Sequence, residues 1–146
     1  MSDTLHVVFD VAGAEYALPA SDVVAMETYT GATRVPGAAP HVAGLIQIRG
    51  RVVPVVDLRA RFGLPPKEVD LDSRVVVTQL GERTVALLVD RARRVLQVPA
   101  DAFAPPPEVV VEHAAGFVTA VARVDGRLLM RLDLAKVIGE VVQHGE

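Results

Sequence analysis

The chain of 146 residues contains no cysteine and no tryptophan, and aromatic residues make up only 4% of it. The missing cysteines exclude disulfides, thiolate nucleophiles and Cys-based zinc sites together. Scarce aromatics leave no platform on which nucleic-acid bases would stack. Nor is there an excess of positive charge: 15 Lys and Arg stand against 18 Asp and Glu, a net charge of -3. That balance argues against a chain built to neutralise phosphates, so nucleic acid is not an expected partner. No apolar run approaches the roughly 20 residues of a membrane-spanning helix. The start, Met1-Ser2-Asp3-Thr4, lacks the basic and apolar regions of a signal peptide. The expectation is a cytoplasmic protein without membrane insertion.

What the chain has in abundance is valine, 28 residues of it. β-Branched side chains favour strands because they pack well on a pleated surface. Strands are expected over residues 5–11, 16–18, 51–56, 74–80, 83–89, 95–98, 117–124 and 128–132. In the first, Leu5, Val7, Phe9 and Val11 alternate with His6, Val8 and Asp10. Gly81-Glu82 and Asp125-Gly126 separate strand pairs closely enough for hairpins. Two helical segments are expected, at 58–62 and 134–142. Each follows an aspartate, Asp57 or Asp133, whose side chain can cap a first turn. Gly63 and Gly139 are natural stops, and Pro105-Pro106-Pro107 reads as a stiff surface connection. Short strands punctuated by Gly and Pro, with little helix, point to small β-barrels.

An internal echo sharpens this. Arg51 to Gly63 resembles Arg127 to Gly139: Arg leads a strand, Asp-Leu opens a helical turn, and Gly follows six residues after the Asp. Ala43-Gly44-Leu45-Ile46 matches Ala115-Gly116-Phe117-Val118, and Gly13 to Leu18 matches Gly81 to Leu87 loosely. Two copies do not make a solenoid, which needs at least three. They indicate two similar modules, roughly 13–66 and 81–139, with strand 5–12 shared, in a single domain spanning 1–146. Each half, about 70 residues, is marginal for a core of its own.

Candidate chemistry is sparse. His6, His41, His113 and His144 show no metal-ligand spacing. Ser21 and Ser73 lack a nucleophile-elbow context, and the glycines are isolated turn residues rather than a phosphate loop. Asp57 and Asp133 are explained by capping. Arg91, Arg93 and Arg94 read equally as a solvated strand edge and as a charged partner surface. No catalytic residue, metal site or cofactor is expected.

The stretch Pro40-His-Val-Ala-Gly44-Leu-Ile-Gln-Ile-Arg49-Gly50-Arg-Val-Val-Pro54-Val-Val-Asp57-Leu58-Arg59 resembles the signature of the CheW family of chemotaxis coupling proteins. Phe9 to Pro19, Leu87-Leu88-Val89-Asp90, Val95-Leu96 and Leu132-Asp133-Leu134 also fall where that family has similar residues. The resemblance implies a mostly β fold of two intertwined, SH3-like five-stranded β-barrels with a few short helices. It also implies a non-enzymatic adaptor that couples a chemoreceptor tip to the regulatory domain of a CheA-type histidine kinase. Carried over residue by residue, it places Val23, Met26, Glu27, Gly44 and Arg49 in a receptor groove. Pro54, Arg91 and Arg93 become candidates for kinase-side or edge contacts, Pro54 because a proline inside a strand marks an edge. A core role for Val23 and Met26, a backbone role for Gly44 and a solvated turn at Arg49 are the plainer readings of the same residues. Two departures stand out. Gln47-Ile48 replaces Asn-Leu, and Ala25 occupies the place of a glutamate that would pair with Arg49. Glu27, two residues on and on the same strand face, is the expected substitute. The alternative that this departure raises is an adaptor of a specialised chemosensory-like pathway, such as surface motility, with a different receptor.

Overall fold

The computed structural model describes residues 3–109 and 116–139. Among these residues, eleven strands run in chain order as β1 (Asp3–Val11), β2 (Ala14–Pro19), β3 (Val23–Thr28), β4 (Val42–Ile48), β5 (Arg51–Asp57), β6 (Arg74–Leu80), β7 (Arg83–Val89), β8 (Arg91–Pro99), β9 (Phe103–Ala104), β10 (Val118–Val124) and β11 (Arg127–Leu132). Among the described residues, the short helices α1 (Leu58–Arg61) and α2 (Leu134–Ile138) follow β5 and β11. The segment expected to be helical at 134–142 therefore ends at Ile138, and residues beyond 139 lie outside the described ones. Asp57 accepts from the Arg59 N–H at 3.0 Å, and Asp133 from the Lys136 N–H at 3.2 Å. Both carboxylates cap a first turn, as their position before Leu predicts.

The strands form two sheets of matching order, β8-β1-β2-β11-β10-β9 and β3-β6-β7-β5-β4. We call the first the terminal barrel and the second the central barrel. The two sequence repeats exchange their hairpins. β1 and β2 pair with β8 and β11 of the second repeat, while β6 and β7 pair with β3 and β5 of the first. The units of hydrogen bonding thus differ from the modules expected at 13–66 and 81–139. β2 belongs to one barrel with β8 to β11, β3 to β5 belong to the other with β6 and β7, and β1 lies in the terminal barrel alone. A contiguous half cannot close its own sheet, because each hairpin finds its partner edge across the repeat boundary. The fold is otherwise the expected one, two intertwined barrels with few short helices, except that the two-residue strand β9 gives the terminal sheet a sixth strand where five were expected.

The exchange also explains the valine runs. Val75 and Val77 point into the central barrel with Tyr29, Val53, Val55 and Ala86, whereas Val76 points outward. There it joins Phe9, Val11, Leu18, Leu87, Leu132 and Ile138 in a core between the barrels. Val8, Ala17, Val98, Ala122 and Leu129 fill the terminal barrel. Central strands buried on both faces read as continuous apolar runs rather than as alternation. Arg61 ties the repeats further by donating to the Val137 and Lys136 carbonyls, both at 2.9 Å, at the end of α2.

Pro54 does not mark an edge strand: β5 lies between β7 and β4. The Asp57 N–H donates toward the β4 side, to the His41 carbonyl at 2.8 Å. Alternation along the strand turns the Pro54 nitrogen the other way, toward β7. Pairing with β7 begins only at Val55, so no ladder bond is lost there.

Candidate functional site

Three hairpins turn on residue pairs that both have positive φ: Ala12-Gly13, Arg49-Gly50 and Asp125-Gly126. These are the primed turns that match strand twist. Arg49 sits at one such tip, between Ile48 and Arg51, and its side chain projects from the barrel with 79% exposure. Glu27 on β3 meets it at 3.7 Å. Ala25 and Glu27 pair with Val77 and Val75 and face the same way, two residues apart on the strand.

The pair stands at the lip of a cleft of about 1010 Å³, walled by residues 27–33 on one side and Leu45 to Arg49 on the other, with Val52. Thr33 reaches across to Leu45, closing the barrel, and Gly44 makes this approach possible. A side chain on Gly44 would fall inside the Thr33 carbonyl oxygen and 2.7 Å from its carbon, and the backbone there has φ of +143. Gly44 is therefore a backbone residue that shapes one wall. Gly116, its echo, meets nothing nearer than Lys136 Nζ at 3.5 Å.

The residues expected to share one groove are divided between two faces of β3. Glu27 and Arg49 meet at the cleft, but Val23 and Met26 point the opposite way and pack half-buried against the core between the barrels. Arg91 and Arg93 lie on β8, which is an edge strand of its sheet. Both are engaged by carboxylates of the chain itself: Arg91 with Asp72 at 3.0 Å, Arg93 with Asp10 and Glu15 at 3.5 Å. Glu15, only 10% exposed, also binds Arg94 and Arg127. Burial works to raise the Glu15 pKa, but the hydrogen bonds from Arg94 and Arg127 outweigh it and hold the carboxyl below its ordinary range.

The Asp57-Leu58-Arg59 and Val89-Asp90 segments, separate in the sequence, join in the fold. Arg59 grips Asp90 through Nε at 2.9 Å and Nη2 at 2.7 Å, a bidentate pair with both side chains under one-fifth exposed. Asp90 also accepts the Ala12 N–H at 2.8 Å, and Arg59 donates to the Pro65 carbonyl. One carboxylate thus clamps the β1–β2 turn, α1 and the crossover from β7 to β8. Burial works to raise the Asp90 pKa, and the bonds from Arg59 and Ala12 overcome it, leaving the carboxyl below the ordinary value.

Among the described residues, no three His, Asp or Glu side chains gather as metal ligands. His6 lies wholly buried on Phe103, with Nδ1 on the Thr4 carbonyl at 3.0 Å and Nε2 without a hydrogen-bond partner among the described residues. Its pKa is lowered, mainly by burial. His41 stands 3.4 Å from Arg61 Nη1, while His113 and His144 lie outside the described residues. No helix of the described residues is long and apolar enough to cross a membrane.

Comparison with known proteins agrees with this architecture. Residues 5–142 match the CheW-like domain. The chemotaxis protein CheW of Bacillus subtilis is 33% identical over 132 residues, covering 90% of this chain and 85% of that protein. The CheW of Rhizobium meliloti is 30% identical, covering 90% and 84%. Among solved structures, the scaffolding protein TtCheW of Thermoanaerobacter tengcongensis superposes with a TM-score of 0.85 at 28% identity, over 94% of this chain and 93% of that one. With its repeated Asp-Leu caps, its exchanged hairpins and a match along nearly its whole length, the chain belongs to the CheW-like family.

Proposed function

We propose that the chain is a non-enzymatic signalling adaptor that links the cytoplasmic tip of a methyl-accepting chemoreceptor to the regulatory domain of a CheA-type histidine kinase. The observation that carries this reading is the family match over residues 5–142, with both barrels present. The relatives named as chemotaxis proteins and the neighbour described as a scaffolding protein support it. On this reading the adaptor works in the cytoplasm and is recruited to receptor arrays. The receptor-facing group is Arg49, whose planar fork suits bidentate recognition, with Glu27 beside it. The β8 edge with Arg91 and Arg93 is the kinase-side candidate, offering a partner an ion-pair network rather than bare cations. The Glu27–Arg49 pair favours the ordinary chemotaxis role over a specialised pathway, because it restores a carboxylate–arginine pair where Ala25 removed one.

The test is binding of a receptor hairpin-tip fragment and of the kinase regulatory domain to wild-type, Arg49→Ala and Arg49→Lys chains. A pair at 3.7 Å with its arginine exposed contributes little to stability, so both variants should melt as wild type does. Arg49→Ala should weaken receptor binding by about tenfold, the scale of one charge-assisted hydrogen bond. Arg49→Lys should recover part of the loss, since an ammonium cannot reproduce the fork. Receptor binding that is the same in all three chains removes Arg49 from the interface.

A further inference from the structure

The two barrels are closed by different seams. In the central barrel Thr33 and Leu45 exchange both main-chain hydrogen bonds, at 2.9 and 2.8 Å, as an isolated bridge. Beyond Thr33 that seam opens into the cleft already described. In the terminal barrel the seam is laced by β9, which pairs Ala104 with Val121 and Phe103 with Ala122. Beneath the lacing lies His6. It is on the face of β1 that Val8 turns into the terminal barrel, and it has no exposed surface. Its ring packs on Phe103 with centroids 5.1 Å apart. Phe103 is itself only half-buried and carries the Arg131 guanidinium 4.2 Å from its ring centroid.

The hydrogen bonding of His6 fixes where its proton sits. Nδ1 stands 3.0 Å from the Thr4 carbonyl, which can only accept, so Nδ1 is the donor and Nε2 is left as a bare lone pair. Nε2 has no partner among the described residues. A second proton there would make a buried, charged donor without an acceptor, a far costlier arrangement than the neutral ring. The surroundings do not compensate it. Across the sheet His6 faces Pro19 on β2 and Leu96 on β8. Asp22 and Asp101 lie on the turns packed against β1 and β10, and neither pairs with the ring. Arg131 is the charged group whose field reaches it, and that field repels a cation. Burial first, and then Arg131, hold the pKa below its ordinary value against the opposing effect of the Thr4 bond.

A protonated ring must reach water, and the elements around it yield unequally. β1 is paired along its length with β2 on one side and β8 on the other. β9 is held to β10 by two residues. We infer that His6 is an acid-released latch on the terminal barrel: a proton on Nε2 drives the ring out from beneath Phe103, β9 parts from β10, and that barrel opens at its seam while the rest of the fold stays closed. The sign follows from linkage. The closed seam keeps His6 neutral, whereas in the open seam it binds a proton near its ordinary pKa of about 6.5. Each pH unit below that value favours opening by up to about tenfold, until the closed form also takes the proton.

Amide hydrogen exchange on the full chain, corrected for the intrinsic rate at each pH, tests the latch. From about pH 7.5 to about pH 5, protection of the β9 amide bonded to β10 should fall by about fivefold or more, with a ceiling of about 30-fold. Opening two residues exposes little surface, so this exchange should not respond to about 1 M urea, as exchange through global unfolding does. In His6→Leu the protection should stay within about twofold over the same pH range. Phe103→Ala uncovers the ring without removing it, and the His6 midpoint followed by NMR should then rise toward about 6.5, a result that stands even if His6→Leu fails to fold. A β9 amide indifferent to acid, an acid loss that urea enhances, or the same loss in His6→Leu overturns the latch. An unchanged His6 midpoint in Phe103→Ala overturns it too, because Phe103 is then not what keeps the ring from water.

Discussion

Replacing Gly44 with alanine should open the central barrel at its weakest point. Two effects add. At φ of +143 an L-residue enters a region that is essentially glycine-only, costing about 1–3 kcal/mol. The new Cβ would also strike the Thr33 carbonyl, so the Thr33–Leu45 bridge must separate and lose two hydrogen bonds, each worth about 1 kcal/mol net. The sum is about 3–5 kcal/mol, a large share of the roughly 5–15 kcal/mol that holds a typical domain together. For a chain of this size 1 kcal/mol moves Tm by about 3 °C, so the midpoint should fall by about 10 °C or more. Gly116→Ala is the control, because its positive φ is the same kind of demand while only the flexible end of Lys136 stands nearby. It should lose about 1–2 kcal/mol. Calorimetry of both variants, with hydrogen exchange at the Leu45 amide, checks the argument. Equal midpoints for the two variants, or a Leu45 amide still protected in Gly44→Ala, would refute the closure role.

Three further outcomes follow from the core and its clamps. Asp90→Asn should destabilise the chain by about 2–3 kcal/mol, since it leaves the Arg59 guanidinium half-paired at a mostly buried site; denaturant midpoints read this directly. Because the folded-state pKa of Asp90 is depressed, its contribution is present above the ordinary carboxylate pKa and is lost as pH falls through the folded value, and the variant should show a flatter acid limb. His6 gives the opposite titration, with a folded-state pKa below the ordinary 6.5. The unfolded chain then binds the proton more readily, so stability should fall as pH drops below about 6.5; His6→Leu should reduce that slope in urea melts between pH 5 and 7.5, and an unchanged slope would remove His6 as its source. Finally, fragments 1–66 and 67–146 should each lack a cooperative melt and regain one when mixed, because each barrel draws strands from both; a sharp transition in either alone would contradict the exchange.

Much of the fold is legible in the residues. The Asp57 and Asp133 caps, the Gly-Glu and Asp-Gly hairpins and the valine strands follow from local stereochemistry, which acts over a few residues. β3 and β4 were not among the strands that valine periodicity marks, and the reason is physical. Each carries a bulge, between Val23 and Ala25 and between Val42 and Gly44, and a bulge breaks the period of two on which such reading depends. Pro54 could not show its place for a related reason: whether its strand is an edge depends on β7, whose residues pair with partners 31 positions away in sequence, as Val55 does with Ala86.

At the site, the family resemblance supplied Arg49 and the place of its partner at Ala25, and spacing alone then pointed to Glu27, because same-face neighbours on a strand lie two residues apart. They could not separate Glu27 from Met26, whose side chain leaves by the opposite face into the core between the barrels. Nor could they join Arg59 to Asp90 or Glu15 to three arginines, since those contacts span 31 residues or more. By itself, the sequence determined the local elements, the twofold repeat and the family. Only the tertiary structure decided that the repeats exchange hairpins, because edge pairing is a choice between near-equivalent partners that burial of the shared core resolves. It also decided that one barrel seam is laced while the other stands open beyond Thr33.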